Sequence, residues 1–250
     1  MQTKRKSFGR EVSGVAGGAA FGQLAIALSA PIAALLFSQE SLGALGIVSS
    51  LAVPLAILTG WRLDIGLPAA RDQRLVEQTV SHLRSLSRAM TTLALLAWTP
   101  FVLLLHLQAE AIALTTAWIA IFVPLAAASI IEFDMANFLG VRAQAFGAVG
   151  LSTAILGIVQ ASMLLGFGLV SGSVVAALVP FVFARHVASV FLRLKLEPPS
   201  SRARHLPSFR AVFRANRDYI YRVTPGLFLA NLTVNLPTLA LGASLGLEGA

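Results

Sequence analysis

The sequence contains no cysteine, which rules out disulfides, thiolate nucleophiles and Cys-ligated metals. Charge is scarce too. Only 12% of the 250 residues are Asp, Glu, Lys or Arg, against about 25% in a soluble domain. The 4 histidines (His82, His106, His186, His205) are scattered. None has a second histidine one helical turn away, and there is no HExxH. GxSxG, P-loop and GxGxxG motifs are absent as well. Glu132 and Asp134 are two positions apart, which is not the DxxD spacing of a metal–diphosphate site. Together these absences predict a protein without enzymatic chemistry and without a cofactor.

Apolar sequence is what the chain has in abundance: 56% of it is hydrophobic, and mean hydropathy is +0.79. The apolar runs last about 20 residues, the length of a membrane-crossing helix. Strands of a membrane β-barrel alternate over about 10. The runs fall at Val12–Phe37, Gly43–Trp61, Ala89–Leu107, Ala111–Ile131, Ala145–Val170, Val174–Leu192 and Arg222–Leu245. The expected fold is therefore all-α integral membrane, with about seven transmembrane helices. Lys4, Arg5, Lys6 and Arg10 precede the first run. That run is too long for a cleaved signal, whose apolar core is about 7–15 residues. Between runs, Asp72–Arg88 reads as an amphipathic helix that could lay Leu75, Val76, Leu83 and Leu86 at the headgroups. IEFDMANFLGVRAQ reads as a polar connection after Ile131. Arg193–Tyr221 reads as a Pro- and Ser-containing basic linker.

The net charge of +8 would suggest nucleic acid in a soluble chain. Here topology accounts for it, because cytoplasmic loops collect Lys and Arg. With the N-terminus inside, all 19 basic residues fall on the cytoplasmic side, the last inside segment being counted from Arg185 to Arg222. The outer loops are very short and hold Glu40, Glu110 and Glu248. The expected location is the inner (cytoplasmic) membrane, multi-pass, with the bilayer as partner and no nucleic acid. Outer loops this short also argue against an integral-membrane glycosyltransferase or polymerase.

The stretch SQESLGALGIVSSLAVPLAILTGWRLDIGLPAARD resembles the first helical hairpin of lipid-linked oligosaccharide flippases. These are the O-antigen and capsule repeat-unit translocases of the multidrug/oligosaccharidyl-lipid/polysaccharide exporter superfamily. Their first loop carries an acidic residue, a short spacer and a glycine. Their second helix ends in Arg-aromatic-Glu-Leu-Ala-Ile and a Leu-Pro turn. The matching residues are Glu40, Gly43, Arg62, Leu63, Asp64, Leu67 and Pro68, with Leu63 replacing the aromatic and Asp64 the glutamate. NFLGVRAQAF resembles the family's junction between helices 4 and 5, and NLTVNLP its helix 7.

The resemblance covers the whole chain but about half of the family's two-lobed architecture. It implies a six-helix lobe over residues 1–192, a basic cytoplasmic linker over 193–221, and the first helix of a second lobe over 222–250. Aligning Pro31 with Pro237 pairs Ser29 with Asn235 and Ser38 with Ser244 without a gap, an echo of parallel repeats. On that reading the chain is the first part of a longer two-lobed protein. The implied activity is translocation of a polyprenyl-diphosphate-linked oligosaccharide repeat unit by alternating access, coupled to H+, to Na+ or to neither. A polysaccharide polymerase and glycosyltransferases are implied partners. Two rival functions remain: a drug or cation exporter of the same superfamily, and a non-transporting scaffold subunit of an envelope-polysaccharide machine.

Carrying a sugar diphosphate past hydrocarbon needs a wet polar path, since unpaired polar groups cost several kcal/mol in an apolar medium. The candidate residues are Arg62, Asp64, Asp134, Arg142, Asn231, Asn235 and Gln23. Arg62 and Asp64 suit a headgroup contact or a gating ion pair, and equally an anchor snorkelling beside Trp61. Glu132, Asp134 and Arg142 suit an ion-pair latch or a proton site, or charges resting in water. Asn231, Asn235 and Thr238 share one helical face, for a cavity wall or for interhelical hydrogen bonds. Gln23 and Gln160 are deep polar interruptions with the same two readings. Gly14, Gly18 and Gly22 recur every four residues and read as a packing face.

Overall fold

The computed structural model describes residues 8–106, 111–196 and 209–248. Among the described residues every regular element is helical. In chain order they are α1 (Phe8–Leu36), α2 (Gln39–Gly60), a 3-10 turn (Leu63–Gly66), α3 (Gln73–His106), α4 (Ala111–Arg142), α5 (Phe146–Val170), α6 (Val174–Lys195), α7 (Phe209–Ala215), a π turn (Tyr219–Val223) and α8 (Thr224–Glu248). Five stretches are long and apolar enough to cross a bilayer: Ser13–Leu36, Gln39–Gly60, Leu114–Arg142, Phe146–Val170 and Val174–Lys195. The protein is thus a multi-pass α-helical membrane protein.

Seven spans were expected, and five meet the test among the described residues. The other two fall short for identifiable reasons. The first half of α3 carries Arg74, Glu77, Arg84 and Arg88, and the side chains of its last turns, 101–106, lie outside the described residues. The same holds for the side chains of α8 at 241–248.

Several boundaries also move. The gap left at 38–42 between the first two apolar runs is almost no loop at all, since α2 begins at Gln39. Ser38 caps α2 directly, its Oγ accepting from the Ser41 N–H at 3.2 Å. The amphipathic segment and the third run are one 34-residue helix. The polar stretch after Ile131 is the last turns of α4, not a connection. Nothing between Glu132 and Leu139 breaks a helix, so α4 continues until Arg142. It ends in a left-handed residue, Gln144, at φ 56°. Ala145 N–H then donates to Gly140 at 2.9 Å and Gln144 N–H to Val141 at 3.0 Å. That is a Schellman closure with glutamine where glycine is usual. Pro31, Pro54, Pro100, Pro124, Pro180 and Pro237 all lie within helices, which membrane helices tolerate when neighbours satisfy the freed carbonyls.

The small-residue face of α1 packs against α5, in line with its reading as a packing face. A Cβ added at Gly18 would collide with the Gly150 backbone, and one at Gly157 with the Gly22 backbone. Backbones this close are available only to glycine. The main apolar core lies among α2, α3, α4 and α6, around Val48, Ala52, Leu83, Met135 and Leu178. Its lower edge meets the turn after α2, where Leu63 and Leu67 are buried. α8 lies along α2, with Thr238 Cγ2 nearest a Cβ built on Gly46, at 3.4 Å.

Candidate functional site

The site begins where α2 stops. Trp61 and Arg62 both take left-handed backbone, at φ 50° and 48°. Such residues cost on the order of 1–3 kcal/mol each and persist only where their surroundings hold them. Three contacts do so here. The Trp61 carbonyl accepts from Thr224 Oγ1 at 2.9 Å. The Trp61 ring meets Phe213 edge-on at 5.9 Å. Leu63 and Leu67 sink into the core. The reversed chain turns the Arg62 side chain back toward α4.

There one guanidinium serves two carboxylates. Arg62 Nη1 donates to Asp134 Oδ2 at 3.0 Å, and Nη2 lies 3.4 Å from Asp64 Oδ2. The Asp64 side chain is only 6% exposed and the Arg62 side chain 20%. Arg62 Nε and Asp64 Oδ2 are both buried without a hydrogen-bond partner. The charges are therefore paired but incompletely satisfied, a costly arrangement in a low dielectric. Burial pushes the Asp64 carboxyl up to about 6 from 3.8; Arg62 opposes this and Asp134 adds to it. Ala56, Gly60, Leu83, Ile130 and Ile131 wall the group around a cavity of about 10 Å³, roughly the space of one water.

Further basic groups surround this centre. Arg185 on α6 donates to the Phe181 carbonyl at 2.5 Å, lies 3.8 Å over the Phe181 ring, and is attracted to Asp134. Glu132 accepts from Ser87 Oγ at 3.0 Å and pairs with Arg193 at 2.7 Å. The latch foreseen among Glu132, Asp134 and Arg142 is thus split. Asp134 goes to Arg62 and Glu132 to Arg193. Arg142 binds the carbonyls of Leu67 (3.1 Å) and Ala70, clamping the segment that leads into α3.

The remaining candidates stand apart from this cluster. Asn231 Nδ2 donates to Leu227 at 2.9 Å and Asn235 Nδ2 to Asn231 at 2.7 Å, both within α8. Thr238 is exposed on the same helix, Gln23 is exposed on α1, and Gln160 is half-buried on α5. Glu40 accepts from Thr115 Oγ1 and ties the start of α2 to α4. Sequence reasoning missed Arg185, Ser87 and Arg193 as members of the charged layer. A signal existed for Arg185, which interrupts an apolar run, and ionisable groups inside spans are functional by default. Among the described residues no group of His, Asp and Glu could hold a metal ion.

Comparisons with family models, curated proteins and solved structures find no match.

Proposed function

We propose that this chain is a lobe of a lipid-linked oligosaccharide flippase, with seven spans, its N-terminus in the cytoplasm and its charged layer at the inner face of the cytoplasmic membrane. The observation that carries the reading is Arg62, held between Asp64 and Asp134 where α2 meets α4. A diphosphate offers a guanidinium the same paired oxygens as two carboxylates. An arriving polyprenyl-diphosphate headgroup competes with both aspartates for Arg62. Its binding releases the tie between the end of α2 and α4, so substrate arrival and loosening of the inner mouth become one event. Asp64, already raised to about 6 by burial, takes up a proton more readily once its cation is drawn away. Alternating access follows from the two lobes moving about this tie, with no covalent step.

A second reading is export of a cationic drug, favoured by the same two carboxylates beside a cavity. Expression in a flippase-deficient bacterium separates the two. Restored export of lipid-linked repeat units, weakened by Arg62→Gln, supports the flippase. Resistance to cationic drugs without repeat-unit export supports the exporter. Neither activity, despite normal membrane insertion, sinks the transport reading.

A further inference from the structure

A second feature of the charged layer gathers around Glu132. Arg84 carries no hydrogen bond or ion pair among the described residues. It feels repulsion from Arg193 and Arg88 and attraction only from Glu132. Glu132 is already committed to Arg193 and Ser87. Nε of Arg84 and Nε of Arg193 are both buried and unpartnered. Two guanidinium groups, Arg84 and Arg193, therefore draw on one carboxylate, with the exposed Arg88 adding to the surplus of positive charge.

The same three helices carry an apolar groove of about 360 Å³, lined by Leu95, Trp98, Trp118, Phe122, Leu125 and Val175 among others. The register links groove and basic foot. On α3, Arg84, Arg88, Thr91, Leu95 and Trp98 follow alternate steps of four and three, which is one helical face. On α4, Trp118, Phe122, Leu125, Ser129 and Glu132 do the same, and on α6 so do Val175, Val179, Val182, His186, Ser189 and Arg193. Leu125 lies about 10 Å above Glu132 at 1.5 Å per residue, and Trp118 about 21 Å. One leaflet of hydrocarbon is about 15 Å deep, half of the roughly 30 Å core. The groove thus starts within acyl-chain reach of the arginines. Leu95 is 63% exposed and Trp98 40%, so its wall is open to an occupant.

We propose that this face of α3, α4 and α6 binds an anionic phospholipid, its phosphate on Arg84 and Arg193 and the far part of one acyl chain in the groove. Charge complementarity selects the headgroup, because a zwitterionic lipid brings no net charge to offset the surplus cations. The site does not depend on the transported substrate and stands whether or not the chain is a flippase.

The test uses the purified protein in neutral detergent, titrated separately with phosphatidylglycerol, phosphatidylcholine and polyprenyl diphosphate, with bound lipid counted by native mass spectrometry. Phosphatidylglycerol is expected to bind best. Arg84→Gln with Arg193→Gln should weaken it roughly 25-fold, at about one cationic interaction lost per arginine. Arg222→Gln removes a distant exposed charge and should leave binding unchanged. Glu132→Gln removes the competing carboxylate and should strengthen binding, whereas a purely structural role for the Glu132–Arg193 pair gives no gain. Equal binding of phosphatidylcholine, equal loss in Arg222→Gln, no gain in Glu132→Gln, or preference for polyprenyl diphosphate overturns the proposal.

Discussion

Replacing Asp64 by asparagine isolates the electrostatic cost at the end of α2. The Asp64 carboxyl titrates near 6 in the fold, against 3.8 ordinarily, chiefly because it is buried. Between those two values the folded protein holds a proton that the unfolded chain has released. Stability therefore falls as pH rises through that window. The gap corresponds to about 3 kcal/mol at neutral pH. The amide introduced by Asp64→Asn has no charge to desolvate, so this slope should vanish. That figure is already net of the attraction of Arg62, which lies 3.4 Å away and opposes the effect of burial. The variant should then be more stable than the parent by about 3 kcal/mol at pH 7, and no more stable at pH 4. Unfolding in mixed micelles, with parent and variant compared from pH 4 to pH 8, measures the difference directly. A difference that does not change with pH refutes the reasoning, as does one that favours the parent increasingly at high pH.

Three other joints can be probed separately. Gly157→Leu drives a side chain into the Gly22 backbone and should cost about 1–3 kcal/mol in the same unfolding assay. Its control, Gly17→Ala, has open space at the new Cβ and should not destabilise, gaining up to about 1 kcal/mol from the stiffer helix backbone. Gln144→Gly relieves the left-handed residue at φ 56° and should stabilise by about 1 kcal/mol. Arg142→Gln removes the donor that holds the Leu67 and Ala70 carbonyls. It should raise proteolytic cleavage within 67–72 several-fold, at a stability cost of about 1–3 kcal/mol.

The helical membrane class was legible because it follows from run length and charge scarcity, which need no tertiary information. The α1 glycine face was legible for a related reason: a four-residue repeat of glycine marks one face, and only its partner was missing from the pattern. The end of α4 was misread. Glu132, Asp134 and Asn137 are polar, and polarity beside an apolar run reads as a loop. A buried layer of charges paired across helices gives the same local pattern, and only Arg62 and Arg193, from distant positions, tell the two apart. The left-handed Trp61 and Arg62 were invisible for a similar reason. Neither residue type favours that backbone, and it is held there by Thr224, more than a hundred residues away. Asn231 and Asn235 had a face in common, but each spends its amide on its own helix.

That the charged layer of Arg62, Asp64, Asp134 and Arg193 faces the cytoplasm underlies the whole functional account. The absence of cysteine makes this directly measurable. Single cysteines introduced at the exposed positions Gln39, Arg71, Ser171 and Lys195 can be probed in spheroplasts with a membrane-impermeant maleimide. The expected result is labelling at 39 and 171 in intact spheroplasts, and at 71 and 195 only after permeabilisation. Labelling at 71 or 195 before permeabilisation contradicts the account.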